Sequence, residues 1–137
     1  MITGLNHVTL SVRDVERAWR FYVDLLGCRP VVRWPKGAYL LAGDLWLALV
    51  LDDHTRAGPL PEYSHLAFSV RPADFAALAG RIQAAGAVIW QANWTEGESL
   101  YFLDPDGHKL EIHASDLTTR LRAARQNPWE GLEFFPE

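Results

Sequence analysis

Two stretches of the chain repeat one another, and this constrains the fold more than any other feature. Leu5-Asn6-His7-Val8-Thr9-Leu10-Ser11-Val12 alternates polar and apolar positions as a half-buried strand does, and Tyr63-Ser64-His65-Leu66-Ala67-Phe68-Ser69-Val70 alternates in the same way, with a histidine at the matching place. The two histidines lie roughly 58 positions apart, a period that belongs to a duplicated supersecondary unit. A helical pattern follows each strand. In the first, Asp14 is positioned to cap, Val15, Ala18, Trp19, Tyr22, Leu25 and Leu26 make an apolar stripe, and Gly27 closes the end. In the second the stripe is Phe75, Leu78, Ala79 and Ile82, and Gly86 closes it.

Short strand-like runs follow each helix: 30–33, 38–42 and 45–51 in the first half, and 88–91, 100–103 and 109–113 in the second. Gly43-Asp44 and Asp104-Pro105-Asp106-Gly107 have turn chemistry. Each half therefore reads β-α-β-β-β, and the fold class is α+β. One domain over residues 1–137 is expected, with module one over about 1–57, module two over about 60–114 and a helix and tail over about 115–137. Asp52 to Pro61 reads as the linker. The last helix is expected to start at a Ser115 cap and to stop before Pro128. Neither half can bury a strong core alone, so both helical stripes must pack together, leaving a cleft lined by equivalent strands.

Composition excludes several classes. Lys and Arg number 13 against 17 Asp and Glu, a net charge of −4, without the basic face of a nucleic-acid partner. No run approaches the roughly 20 apolar residues that span a bilayer, and no signal-peptide pattern opens the chain. The single cysteine, Cys28, fits a reducing, cytoplasmic setting and reads as a small buried hydrophobe.

His7, His65 and Glu111 stand out as inward-looking polar residues on strands. Two neutral imidazoles and a carboxylate suit a borderline divalent cation, and three protein ligands leave positions open for a substrate. Glu111 sits in the apolar run Leu110-Glu111-Ile112, where an unpaired charge is expensive and a cation would offset the cost. His113 shares the Glu111 face and is a reserve ligand. His54, in the linker, and His108, after the Pro-Asp-Gly turn, are expected to be exposed. The segment Asn93-Trp94-Thr95-Glu96-Gly97-Glu98-Ser99 is rich in oxygen donors and is either a polar surface loop or a cage for a hard cation. Arg120 is either a solvated helix charge or an anion clamp.

Leu5-Asn6-His7-Val8-Thr9-Leu10, Gly37-Ala38-Tyr39-Leu40, Leu45-Trp46-Leu47, Tyr63-Ser64-His65 and the run from Ser99 through Asp104-Pro105-Asp106-Gly107-His108 to Glu111 resemble the fosfomycin-resistance glutathione transferases. These belong to the vicinal oxygen chelate superfamily, with the glyoxalases, extradiol dioxygenases and bleomycin-resistance proteins. The resemblance spans nearly the whole chain and implies paired modules in a domain-swapped homodimer. It implies Mn²⁺ on His7, His65 and Glu111, with His7 from one subunit meeting His65 and Glu111 of the other. It implies Thr9 beside the oxirane, Tyr39 assisting the thiol, and Arg120, Tyr101 and Thr95 on the phosphonate. Trp46 and Tyr63 would wall the substrate pocket, and Gln91 would take the place of a family lysine beside it. Asn93, Thr95, Glu96, Gly97 and Ser99 would cradle K⁺.

The implied activity is addition of glutathione to fosfomycin. Gln91, Trp94 and Val50 stand where the family usually has Lys, Arg and Ser, which bears on the thiol. Alternatives are another low-molecular-weight thiol, another small phosphonate or epoxide, or a non-catalytic drug-binding protein. A glyoxalase-type isomerase is disfavoured because the strand Leu45 to Leu49 has no second carboxylate. Related hydrolases place a Glu base near position 37, and Gly37 provides none.

Overall fold

The computed structural model describes residues 1–94 and 97–136. β1 (His7–Val12) leads into α1 (Val15–Trp19), which continues as a wider π-helical segment over Arg20–Leu25. β2 (Arg29–Trp34), β3 (Gly37–Ala42) and β4 (Leu45–Leu51) complete the first half. β5 (Leu66–Ser69), α2 (Pro72–Ala84), β6 (Ile89–Gln91), β7 (Ser99–Leu103) and β8 (Lys109–His113) form the second, and α3 (Leu117–Gln126) follows. Two four-stranded sheets result, with orders β1-β4-β3-β2 and β5-β8-β7-β6. In each, the first strand pairs parallel to the last and the rest run antiparallel. This is the duplicated β-α-β-β-β arrangement expected from the repeat.

The Asp14 carboxylate accepts from Arg17 N at 3.0 Å and starts α1 as expected. The cap of α3 is Asp116, whose side chain accepts from Thr119 N at 2.8 Å, and not Ser115. Both residues can cap; Asp116 has the extended backbone ahead of the first turn, while Ser115 Oγ is buried without a hydrogen-bond partner among the described residues. β5 also starts one residue later than the repeat predicts, so His65 stands immediately before the strand.

One core joins the halves. Val12, Tyr22, Leu40, Leu47 and Leu49 from the first meet Ile82, Phe102, Leu110 and Ile112 from the second. Beside it lies a buried polar junction. The Tyr22 hydroxyl donates to Asp104 Oδ2 at 2.6 Å, while the amides of Asp106 and His108 donate to Asp104 Oδ1, each at 2.9 Å. Arg17 Nη2 and the Arg13 amide donate to Asp106 Oδ1. His108 corrects its sequence reading. It is 6% exposed, and its Nε2 donates to the Ser11 carbonyl at 2.7 Å, because the turn folds back onto β1. That return needs Gly107, which has φ +89; a β-carbon there would fall 2.6 Å from the Gly58 backbone. Burial, followed by the Asp104 charge, raises the Tyr22 phenol well above its usual range, and burial raises the Asp104 carboxyl.

Candidate metal and substrate site

Strand alternation divides each sheet between core and open face. Register places His7, Thr9 and Ser11 of β1 beside Trp46, Ala48 and Val50 of β4, and these beside Leu41, Tyr39 and Gly37 of β3. The opposite face carries Leu10, Leu40, Leu47 and Leu49 into the core. On the second sheet, Ala67, Glu111 and Tyr101 share one row, with Ser69, His113 and Ser99 in the next. The sheets thus present two faces turned away from the core that hold most of the residues singled out from sequence.

On the first face, His7 Nδ1 donates to Asn6 Oδ1 at 2.7 Å, leaving Nε2 as the free lone pair. The His7 ring lies 4.4 Å from Trp46, and Tyr39 meets Trp46 edge-on at 5.1 Å. Trp46 Nε1 is buried without a hydrogen-bond partner among the described residues. Thr9 is exposed beside this group.

On the second face, His65 Nδ1 lies 2.9 Å from the Tyr63 carbonyl, an atom that can only accept. Nδ1 therefore carries the proton, and in the neutral ring Nε2 is a lone pair. That lone pair faces Glu111 Oε1 at 3.0 Å. Two acceptors in contact need a proton or a cation between them, and this pair is built to share one. Glu111 is 6% exposed. Its Oε2 accepts from the Ser99 hydroxyl at 2.6 Å, and Ser99 Oγ lies 2.5 Å from His113 Nδ1. Imidazole nitrogen with carboxylate oxygen is a donor set for a borderline divalent metal. His7 is not part of this cluster: among the described residues no group of three or more His, Cys, Asp or Glu side chains converges as a metal site. Within one chain, therefore, His7, His65 and Glu111 do not converge as a three-ligand metal site.

An aromatic wall surrounds His65. Tyr63, Trp90 and Tyr101 meet it edge-on at 5.1, 5.3 and 6.0 Å. Trp90, whose Nε1 donates to the Leu110 carbonyl at 3.0 Å, was not singled out from sequence. Its only signal there was its place beside Gln91 on a short strand. Gln91 Nε2 donates to Tyr63 Oη at 3.0 Å. Tyr101 is buried, Arg120 lies exposed on α3, and Trp94 is exposed. In the oxygen-rich loop, Asn93 Nδ2 donates to the Gly97 carbonyl at 3.1 Å; Thr95 and Glu96 lie outside the described residues. Cys28 is buried, as expected, and burial pushes its thiol up to about 11.

Residues 4–112 match the model of the glyoxalase/bleomycin resistance protein/dioxygenase superfamily. The chain belongs to this superfamily. It is 46% identical to the glutathione transferase FosA of Serratia marcescens, over 98% of this chain and 96% of that protein. It is 40% identical to the metallothiol transferase FosB of Shouchella clausii, over 88% and 86% of the two chains. Among solved structures, the fosfomycin resistance protein FosX of Mesorhizobium loti superposes with a TM-score of 0.73 at 36% identity, covering 88% of this chain and 99% of that one. A variant of FosX from Listeria monocytogenes, complexed with Mn(II) and 1S,2S-dihydroxypropylphosphonic acid, gives 0.77 at 27% identity, covering 88% and 99%. Within the superfamily the chain falls with the fosfomycin-resistance proteins. No helix among the described residues is long and apolar enough to cross a membrane.

Proposed function

We propose that this protein inactivates fosfomycin by adding a thiol, glutathione, across its oxirane ring with the help of Mn²⁺. The observation that carries the reading is the His65 and Glu111 pair, in which an imidazole lone pair faces a buried carboxylate 3.0 Å away. His7, with its Nε2 free, is the third ligand, contributed by a second subunit of a homodimer. The Mn(II)-bearing FosX structure supports the choice of metal. Bound at such a site, the cation acts as a Lewis acid toward oxygen.

The reaction adds RS–H across one C–O bond. Sulfur bonds to carbon, the oxirane C–O bond breaks, and the released oxygen takes the proton. Tyr39 lies on the His7 face, placed to hold the incoming sulfur, and Thr9 lies two residues along β1 from His7. Arg120 and Tyr101 bind the phosphonate, together with Thr95; Trp46 and Tyr63 wall the substrate. Neutralising that anion lowers its repulsion of a thiolate, and holding both reactants together removes the entropy of their encounter. The loop carrying Asn93, Thr95, Glu96, Gly97 and Ser99 is proposed to hold K⁺. The reading places the protein in the cytoplasm, where a low-molecular-weight thiol is plentiful.

Gly37 favours thiol addition over hydrolysis. A β-carbon at this position would lie 2.6 Å from Trp34 Cζ2 and 2.7 Å from the Leu49 carbonyl oxygen, so an acidic side chain enters there only if the Trp34 ring and the β4 backbone shift. A second reading keeps the chemistry and changes the thiol. Gln91, Trp94 and Val50 are all uncharged, and Gln91 is engaged with Tyr63. Incubation of protein, Mn²⁺ and fosfomycin with a panel of thiols, read by mass spectrometry, tests both. A glutathione adduct supports the first reading, an adduct with another thiol alone supports the second, and the diol or no product rejects both.

A further inference from the structure

Glu111 offers two oxygens, and the structure treats them differently. Oε1 faces the His65 lone pair. Oε2 is taken up by Ser99 and stands 3.4 Å from His113 Nδ1. Hydrogen counting fixes the direction of these bonds. The Ser99 hydroxyl gives its one proton to Glu111 Oε2. Ser99 Oγ has then no proton left for His113, and the 2.5 Å contact must be donated by His113 Nδ1–H. The chain of donors runs from His113 through Ser99 to Glu111.

The register explains why these three meet. Ser99 on β7 stands directly opposite His113 on β8, and Tyr101 stands opposite Glu111. Ser99 is therefore the diagonal neighbour of Glu111 on the same face, a distance its short side chain closes. Ser99 is buried, and the His113 side chain is only 24% exposed, so little water competes for these bonds. Gly97 closes the outer side, where a β-carbon would fall 2.9 Å from Ser115 Cβ and 3.7 Å from His113 Cε1.

We infer that His113 and Ser99 are positioning residues for the metal site: they hold Glu111 Oε2 so that Oε1 is the oxygen presented to the cation. His113, a reserve ligand by sequence, thus acts through Glu111 and not on the metal. The inference rests on the reading of Glu111 as a metal ligand. Partners of this kind shift metal affinity by about 10–100-fold when lost.

The test is titration of the metal-free full-length protein with Mn²⁺ alone, with free Mn(II) read by electron paramagnetic resonance. Thermal unfolding of each metal-free variant is measured alongside. Ser99→Ala and His113→Leu are expected to weaken Mn²⁺ binding by about 10–100-fold. Ser99→Thr keeps the hydroxyl, and His113→Asn places an amide N–H near the position of Nδ1–H. Both are expected to stay within about threefold of the parent protein, while their unfolding temperatures fall no less than those of the partners that lose the bond. Affinity must therefore follow the donor and not the stability. Affinities that are all unchanged, or that follow the unfolding temperature whichever donor is present, overturn the inference. A parent protein that binds no Mn²⁺ overturns the metal reading itself, and this inference falls with it. Parent binding with a flat variant series overturns the inference alone.

Discussion

Gln91 Nε2 donates to the Tyr63 phenol oxygen at 3.0 Å, which gives Gln91 a partner at the rim of the His65 pocket. Tyr63 in turn supplies the carbonyl that orients His65. A neutral amide stands here, so the rim holds Tyr63 without adding positive charge. Hydrogen bonds to charged groups contribute about 1.5–3 kcal/mol and neutral ones about 0.5–1.5.

Gln91→Lys is expected to raise kcat/KM for fosfomycin and glutathione by up to about tenfold, the equivalent of about 1.4 kcal/mol. The gain should shrink with added salt, because the position is close to solvent. Steady-state kinetics at two ionic strengths checks this. An unchanged or lower kcat/KM for both substrates shows that holding Tyr63 is the whole role of position 91.

The metal reading predicts that His7→Ala, His65→Ala and Glu111→Ala each lose Mn²⁺ and activity. Metal content after dialysis and adduct formation measure the two effects. The separation of His7 from the His65 and Glu111 pair within one chain adds a sharper expectation. A mixture of His7→Ala and Glu111→Ala subunits, each inactive alone, should form hybrid dimers with one intact site. At equal amounts and free exchange the mixture should reach about a quarter of parental activity. No recovery after exchange has been demonstrated by native mass spectrometry would refute a site shared between subunits.

Gly37→Glu places a carboxylate where a hydrolytic base would stand, yet its β-carbon meets Trp34 Cζ2 at 2.6 Å and the Leu49 carbonyl oxygen at 2.7 Å. The ring can turn away, but the backbone oxygen belongs to a paired strand. The expected result is a loss of about 1–3 kcal/mol in urea unfolding, with no diol formed from fosfomycin. Parental stability in this variant would show that β3 and β4 separate more readily than their register implies.

How much of this was legible in the sequence depends on the range of the contact. The two histidines and the flanking helices repeat at one period, so the β-α-β-β-β units could be read from local pattern alone. Glu111 was visible as a charge inside an apolar run. The His108 burial was not, because it depends on a turn returning to Ser11 across the junction between halves. Asp116 and Ser115 are adjacent capable caps, and only backbone geometry chooses between them. The partnership of His113 with Ser99 needed the strand register, since a one-residue slip would send Ser99 to the core face. Trp90 was missed for a similar reason: its role arises from three aromatic neighbours contributed by other segments.

The junction between halves yields a pH prediction. Burial raises the Asp104 carboxyl in the folded protein above its ordinary value of 3.8. The folded state then binds more protons than the unfolded chain over the window that begins at the ordinary value and ends at the raised one. Stability contributed by this group is therefore fully present below the ordinary value and falls as pH rises through that window. Asp104→Asn retains an oxygen for the amides of Asp106 and His108, and its NH₂ can donate to the Tyr22 oxygen in place of the bond now made at 2.6 Å. The variant has no proton to lose, so its urea midpoint should lack this downward component as pH is raised through the window. Tyr22→Phe should behave differently: it removes the phenol donor, leaves Oδ2 buried without it, and is expected to reduce stability by about 1–3 kcal/mol, most at pH above this window, where the carboxylate charge needs the bond. Parallel unfolding curves for the parent and Asp104→Asn at every pH would show that Asp104 does not titrate in this window, and that its burial is fully offset by the three donors around it.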